Sequence, residues 1–280
     1  MYCDYHLHSK FSFDSSEKPE NICEVAIERG VEEICFTEHF EFGAPVSDIW
    51  PDIDIWNRTI DELREKYEGR LSILQGIESG QPYKEPDRAN RLMEQLQDRL
   101  DFVIGSVHIV GDTGRPSKYV FTRGNYQEYF KTYFEELILL AEMGDFDVMG
   151  HVTFPFRYVP EQLLREWPIE SFEKQFRDVF DILIRRNKGI EINTSGYRTG
   201  LEDAMPSEDI VRWYKEQGGK IITVGSDGHS ARSACLNIDR GYQLFKNLGF
   251  QTTTKYQKRN ICYENYCDNT SKKWFERVKR

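Results

Sequence analysis

None of the six cysteines (Cys3, Cys23, Cys35, Cys235, Cys262 and Cys267) forms a Cys-x-x-Cys pair. That spacing gives no basis for a dithiol redox centre or a thiolate zinc site, and reduced thiols in a cytoplasmic setting are the expectation. Long apolar runs are missing as well. The longest, residues 137–141, is too short to cross a bilayer. The amino terminus shows no basic stretch followed by an apolar one, so no secretory signal is expected. Positive charge is scarce: 37 Lys and Arg face 47 Asp and Glu, a formal net charge of −10. Phosphate backbones reward clustered cations, so a non-specific nucleic-acid binder is disfavoured. A basic tail at 272–280 is read as a solvated terminal helix.

What is present suits one large domain. The 280 residues are 39% apolar and 14% aromatic, enough for a substantial core. Strand-like runs at 1–7, 34–37, 71–77, 102–107, 146–150, 189–193 and 221–226 alternate with helix-like segments. Pro19 opens one helix and Gly30 closes it, while Phe134, Leu137, Ile138 and Ala141 mark another at i, i+3, i+4 and i+7. Seven β-then-α units with short, nearly continuous apolar strands predict a parallel sheet buried on both faces. The expected fold is a distorted seven-stranded, TIM-like β/α barrel spanning 1–280, with 250–280 as an extension packed on it.

The six histidines are His6, His8, His39, His108, His151 and His229, and each lies at or just past the carboxyl end of a predicted strand. Glu78 and Asp227 lie there too. In such barrels the strand ends carry the chemistry. His6 and His8, two apart on a strand, point to one face. Hydrogen-bonded core histidines explain any one of these positions, but not all six. With no cysteine among them the donors are nitrogen and oxygen, which suits Zn²⁺, Mn²⁺ or Fe. So many donors exceed one tetrahedral ion, and Glu78, central in the order, is the candidate bridge.

The runs Asp4-Tyr5-His6-Leu7-His8-Ser9, Phe36-Thr37-Glu38-His39, Gly76-Ile77-Glu78-Ser79-Gly80, Gly105-Ser106-Val107-His108, Gly150-His151 and Ser226-Asp227-Gly228-His229 resemble the successive motifs of the polymerase and histidinol phosphatase (PHP) superfamily. Phe11-Ser12-Phe13-Asp14-Ser15 and the run from Glu191 to Arg198 resemble its histidinol-phosphatase branch. The resemblance covers 2 to about 232. It implies a trinuclear centre of divalent ions: one held by His6, His8, Glu78 and Asp227, a second by Glu78, His108 and His151, a third by Asp14, His39 and His229. Asp14 stands where some relatives carry histidine. Glu78, Asp227 and His229 are the residues expected to serve catalysis directly.

The implied activity is hydrolysis of L-histidinol phosphate to L-histidinol and phosphate, in histidine biosynthesis. Arg157 and Arg198, on strand-end loops, are the candidates to hold the phosphoryl oxygens. An imidazole and an amine want an aromatic wall and a carboxylate. Glu41, Phe42, Trp50, Tyr119, Phe154, Phe156 and Tyr158 are placed to give these or to pack the rim. The nearest alternatives are a protein-tyrosine phosphatase of the same superfamily and another small-molecule phosphoesterase. A nucleic-acid phosphoesterase and a metal-holding binding module fit less well. Expected partners are a small phosphomonoester, neither nucleic acid nor membrane, and at most a small homo-oligomer beyond the monomer.

Overall fold

A computed structural model describes residues 2–44 and 49–265. Strands β1 (Cys3–Leu7), β2 (Glu33–Glu41), β3 (Ser72–Gly80), β4 (Phe102–Ser106), β5 (Val148–Met149), β6 (Gly189–Asn193) and β7 (Ile222–Gly225) lie in sequence order in one parallel sheet. Helices α1 (Pro19–Glu28), α2 (Ile53–Lys66), α3 (Pro86–Leu96) and α4 (Tyr126–Met143) follow the first four strands. Then α5 (Glu161–Glu166) and α6 (Glu173–Arg185) follow β5, α7 (Glu208–Glu216) follows β6, and α8 (Ile238–Asn247) follows β7. The sheet nearly closes. Leu7 bridges to Gly228 in parallel, and the His8 amide donates to the Gly228 carbonyl at 3.0 Å. Asp4 stitches the same seam, its carboxylate accepting from the Ser226 amide at 2.8 Å and the Cys235 amide at 3.0 Å. The result is the distorted (β/α)7 barrel.

Alternation along each strand sorts the core. Ile34, Phe36, Ile73, Ile77, Val103, Ile190, Ile192, Ile222 and Val224 face the helices and share their apolar layer. The opposite parity faces the barrel axis. At its base Cys3, Tyr5, Cys35, Leu74, Phe102, Ile104 and Val148 form a separate apolar plug. Above the plug the inward positions turn polar: His39, Glu78, Ser106 and Glu191. On β1 both Tyr5 and His6 face inward, which simple alternation forbids. The pairing of β1 with β2 shifts register between Asp4 and Leu7, and such an irregularity moves the following residues to the other face. Tyr5 therefore plugs the base while His6 and His8 reach the mouth.

Some boundaries differ from expectation. β2 runs to Glu41 and β3 to Gly80, each in continuous register with the other, so Glu41 belongs to a strand and not to a loop. β5 contracts to two residues, and just before it the Asp147 carboxylate accepts the Val103 amide at 2.8 Å. The tyrosine-rich tail contains an antiparallel hairpin, β8 (Thr252–Gln257) and β9 (Asn260–Asn265). Its turn residues, Lys258 and Arg259, both hold positive φ, 49° and 59°. Such turns usually advertise themselves as Asn-Gly or Asp-Gly, and this one does not. Tyr256 of the hairpin packs on Tyr5 and Phe102, and Arg259 pairs with Asp145 and Asp147. We propose that the chain is one barrel domain, with this hairpin closing the base. The basic run at 272–280 lies outside the described residues.

Candidate metal centre at the barrel mouth

Every sequence-predicted ligand arrives at one place. β1 presents His6 and His8, and the following loop presents Asp14. β2 presents His39 and β3 presents Glu78. The ends of β4, β5 and β7 present His108, His151, Asp227 and His229. His6, His8, Glu78 and His151 are buried, and His39 nearly so.

The distances resolve into three groups. His6 Nε2 and His8 Nε2 lie 3.1 and 3.4 Å from Glu78 Oε2, with Asp227 Oδ1 at 3.9 and 3.7 Å. His108 Nε2 and His151 Nε2 lie 3.1 and 2.9 Å from the other oxygen, Glu78 Oε1, and 3.4 Å from one another. His39 Nε2 and His229 Nε2 each lie 3.4 Å from Asp14 Oδ2. Two donors bound to one tetrahedral ion at about 2.05 Å stand about 3.3 Å apart, so these spacings suit shared cations. Hydrogen bonding accounts for only part of them: His151 Nε2 is within hydrogen-bond reach of Glu78 Oε1 and of His108 Nε2, but other nitrogens have no such partner. His6 Nε2, His8 Nε2 and His39 Nδ1 are buried without a hydrogen-bond partner, although carboxylate oxygens stand close by. Orphaned buried nitrogens aimed at carboxylates are costly in a bare protein, and a divalent cation between them removes that cost.

The histidines' outward nitrogens are fixed by neighbours, which sets which nitrogen keeps a lone pair. His229 Nδ1 donates to the Asp227 carbonyl at 3.1 Å, and His8 Nδ1 meets Ser12 Oγ at 3.1 Å. His108 Nδ1 meets Glu41 Oε1 at 2.7 Å. Glu41 also lies 3.2 Å from His39 Nδ1, and the glycine opposite is required. A Cβ at Gly80 would stand 2.1 Å from the Glu41 carboxylate. Sequence reasoning placed Glu41 at the substrate rim. Its position two residues beyond His39, on the same strand face, was the signal for its real neighbours. Glu191, against His6, and Ser106, whose hydroxyl donates to Glu78 Oε1 at 2.6 Å, were not singled out at all.

Electrostatics follows from this crowding. Burial opposes charging His108, but Glu41 and Glu78 outweigh it and raise its pKa to about 9. Burial likewise opposes charging His6, His39 and His229, and nearby carboxylates raise all three above 6.5. His8 goes the other way, held neutral by burial and by His229 and His39. Burial works to protonate Glu41 and Glu78, yet the facing histidines lower both, Glu41 to about 2 and Glu78 well below 4.5. Raised histidines stabilise the metal-free fold fully below their unfolded value and lose that contribution as pH climbs through the folded one. Lowered carboxylates contribute above their unfolded value and lose it as pH falls. Chelated protein should therefore melt highest between roughly pH 4.5 and 6.5 and lose stability toward about pH 9. A cation replaces the protons, so Zn²⁺ should erase the alkaline decline. Thermal melts across pH, with and without Zn²⁺, check this. A chelated melting temperature that climbs from pH 6.5 to 9 contradicts it.

The cluster floors a cavity of about 210 Å³ walled by Phe13, Phe154, Tyr158 and the Arg115-Pro116-Ser117 segment. A second lobe of about 420 Å³ adjoins it and is lined by Ser195, Arg198, Thr199 and Ser233. Arg157, Tyr158, Asp227 and His229 border both lobes. Arg157 is stacked at 4.3 Å from the Phe154 ring centre and donates to the Tyr158 hydroxyl at 2.6 Å. Arg198 Nη2 donates to the carbonyls of Ser226 at 2.8 Å and Asp227 at 3.3 Å, so this arginine also braces the β7 end. There Asp227 holds φ 53°, a left-handed conformation Asp tolerates better than most residues. Of the rim candidates, Glu41, Phe154 and Tyr158 line the cavity. Phe42 and Phe156 are core residues, Trp50 packs on Phe40 and Phe42, and Tyr119 packs on Phe121 and Tyr129.

Fold and site together define a β/α barrel whose mouth gathers histidine and carboxylate donors suited to divalent metal, with the two oxygens of Glu78 facing separate histidine groups. Residues 4–195 match the model of the PHP domain, and the chain belongs to that family. It is 30% identical over 264 residues to a histidinol-phosphatase of Lactococcus lactis, covering 92% of this chain and 95% of that protein. A probable histidinol-phosphatase of Clostridium acetobutylicum is 25% identical, covering 94% of this chain and all of the relative. The chain also superposes on a crystal structure of histidinol phosphate phosphatase from Lactococcus lactis in complex with Zn, L-histidinol and phosphate. The TM-score is 0.79 at 27% identity, covering 93% of this chain and 98% of that one. No described helix is long and apolar enough to cross a membrane.

Proposed function

We propose that this chain is a metal-dependent phosphomonoesterase that hydrolyses L-histidinol phosphate to L-histidinol and inorganic phosphate. The observation that carries the reading is Glu78, whose two oxygens face two separate histidine groups at the floor of a cavity bordered by Arg157. The Lactococcus lactis relative with Zn, L-histidinol and phosphate bound supports the same reading. Two to three divalent ions (Zn, Mn or Fe) would be held, by His6, His8, Glu78 and Asp227, by Glu78, His108 and His151, and by Asp14, His39 and His229. Such ions polarise phosphoryl oxygens and lower the pKa of bound water from about 15.7 toward about 7. Cytoplasmic residence, as a monomer or small homo-oligomer, belongs to the same proposal.

The chain's own groups do the rest. Arg157, held flat by its stacking on Phe154, turns its free guanidinium edge toward the phosphoryl group, where a planar fork outperforms a point charge. Arg198 offers its remaining donors from the second lobe while its Nη2 holds the β7 end. Phe13, Phe154 and Tyr158 give the imidazole an aromatic wall. Among the described residues, every carboxylate lining the two lobes already faces a histidine. The cluster's recess behind the Arg115-Pro116-Ser117 segment favours a small substrate over a protein-borne phosphotyrosine.

Metal-loaded protein incubated with L-histidinol phosphate should release phosphate and L-histidinol in equal amounts, and no release overturns the proposal. Charge-assisted bonds contribute about 1.5–3 kcal/mol, so Arg157→Ala should lower kcat/KM roughly ten- to a hundredfold. Metal content should stay unchanged, and lysine should restore only part of the rate. An unaltered kcat/KM in Arg157→Ala would remove that residue from the phosphate grip.

A further inference from the structure

β6 is the one strand of the barrel that contributes no expected metal ligand, yet its inward face is polar. Glu191, 1% exposed, places Oε1 2.6 Å from His6 Nδ1. Its Oε2 accepts the His151 amide at 2.9 Å and the Asn193 side-chain amide at 3.1 Å. Asn193 Oδ1 in turn accepts from Ser195 Oγ at 2.6 Å, and that hydroxyl lies 3.3 Å from Asp227 Oδ2. The neighbouring strand makes room for the pair. A Cβ at Gly225 would stand 2.3 Å from Glu191 Oε1 and 2.4 Å from His6 Cβ. An acidic residue in the middle of the apolar run Gly189–Asn193, buried against a histidine from one strand and a backbone amide from another, needs a reason to be there.

We propose that Glu191 is a positioning residue for the metal centre, holding two ligands that belong to different ions. A carboxylate accepts and cannot donate, so His6 must carry its proton on Nδ1, which leaves Nε2 and its lone pair turned toward Glu78. The other oxygen pins the backbone of His151 and so aims that ring at the second oxygen of Glu78. His6 and His151 fall on opposite sides of the bridge. One carboxylate thus sets the geometry of both ions that Glu78 would share, while the group around Asp14 lies outside its reach. Asn193 and Ser195 extend the brace to Asp227.

This inference rests on the metal reading above, and the test separates the two. Full-length Glu191→Gln keeps the shape of the side chain but turns an amide donor toward either His6 Nδ1 or the two donors at Oε2, the His151 amide and the Asn193 side chain. Competition against a chromophoric zinc chelator should show roughly ten- to a hundredfold weaker binding for two ions, with any ion at Asp14 unaffected. Excess Zn²⁺ should restore much of kcat, and KM for L-histidinol phosphate should not move. The Co²⁺-substituted variant should show an altered visible spectrum. Zinc affinities within about twofold of the unaltered protein, with only a lower melting temperature, would make Glu191 a packing residue and overturn the inference. A raised KM at full metal content would make it a substrate contact and overturn it equally. Should Glu191→Gln fail to fold, Glu191→Asp carries the test. It keeps the charge but withdraws it by one methylene, and its affinity should fall between the two. Unaltered affinity there counts against the inference. If the unaltered protein binds no zinc, the metal reading fails first. If it binds zinc and the variant binds equally well, only the role of Glu191 fails.

Discussion

Glu78→Gln should cost more activity than any other single substitution at the mouth. The carboxylate is buried and faces four histidine Nε2 atoms through two oxygens. Glutamine keeps the outline, removes the charge, and offers an amide donor where one lone pair stood. Losing the ions Glu78 would share removes several kcal/mol of charge stabilisation from the transition state, roughly a thousandfold in rate. The ions on either side should be lost or displaced. The barrel should survive, because its plug of Tyr5, Leu74, Phe102 and Ile104 lies below the site and is apolar. Elemental analysis together with kcat/KM checks this. A variant with full metal and normal turnover would show that Glu78 is not the bridge.

Chelation should act as strongly and reversibly. A metal centre supplies several kcal/mol of charge stabilisation and the nucleophile itself, so stripped protein should lose at least about a thousandfold of its rate. Zn²⁺, Mn²⁺ or Fe²⁺ should restore it. Loss should come more easily at acid pH, since protons compete for His6, His39 and His108, whose pKa values the carboxylates raise. Full activity in rigorously metal-free protein contradicts the account.

Much of this was legible in the sequence, for a definable reason. Parallel strands with apolar runs announce a buried sheet, and a polar residue at the end of such a run points to the mouth by position alone. That rule located His39, Glu78, His108 and His151 without knowledge of their neighbours. Asp14 was different: it sits in a loop, and only the resemblance of its run to a known motif marked it. What stayed hidden depends on contacts between strands. Glu191 sits in the middle of β6, and its pairing with His6 of β1 exists only once the barrel curls round to close. The register shift that turns both Tyr5 and His6 inward leaves no mark in composition. Arg198 read as a phosphate clamp, but it also grips the β7 carbonyls, which no spacing reveals. The hairpin β8–β9 turns on Lys258 and Arg259, residues that seldom signal a turn.

The central claim is the substrate, and its most direct test is kcat/KM of the zinc-loaded protein for L-histidinol phosphate beside phosphotyrosine, phosphoserine and a simple sugar phosphate. The imidazole should gain from the wall of Phe13, Phe154 and Tyr158, and burying an apolar ring face is worth about 1.5–3 kcal/mol. L-histidinol phosphate should therefore be preferred over phosphoserine and the sugar phosphate by at least about tenfold, and should outrun phosphotyrosine. A rate for phosphotyrosine equal to or above that for L-histidinol phosphate would contradict the assignment and leave only a metal-dependent phosphatase of other specificity.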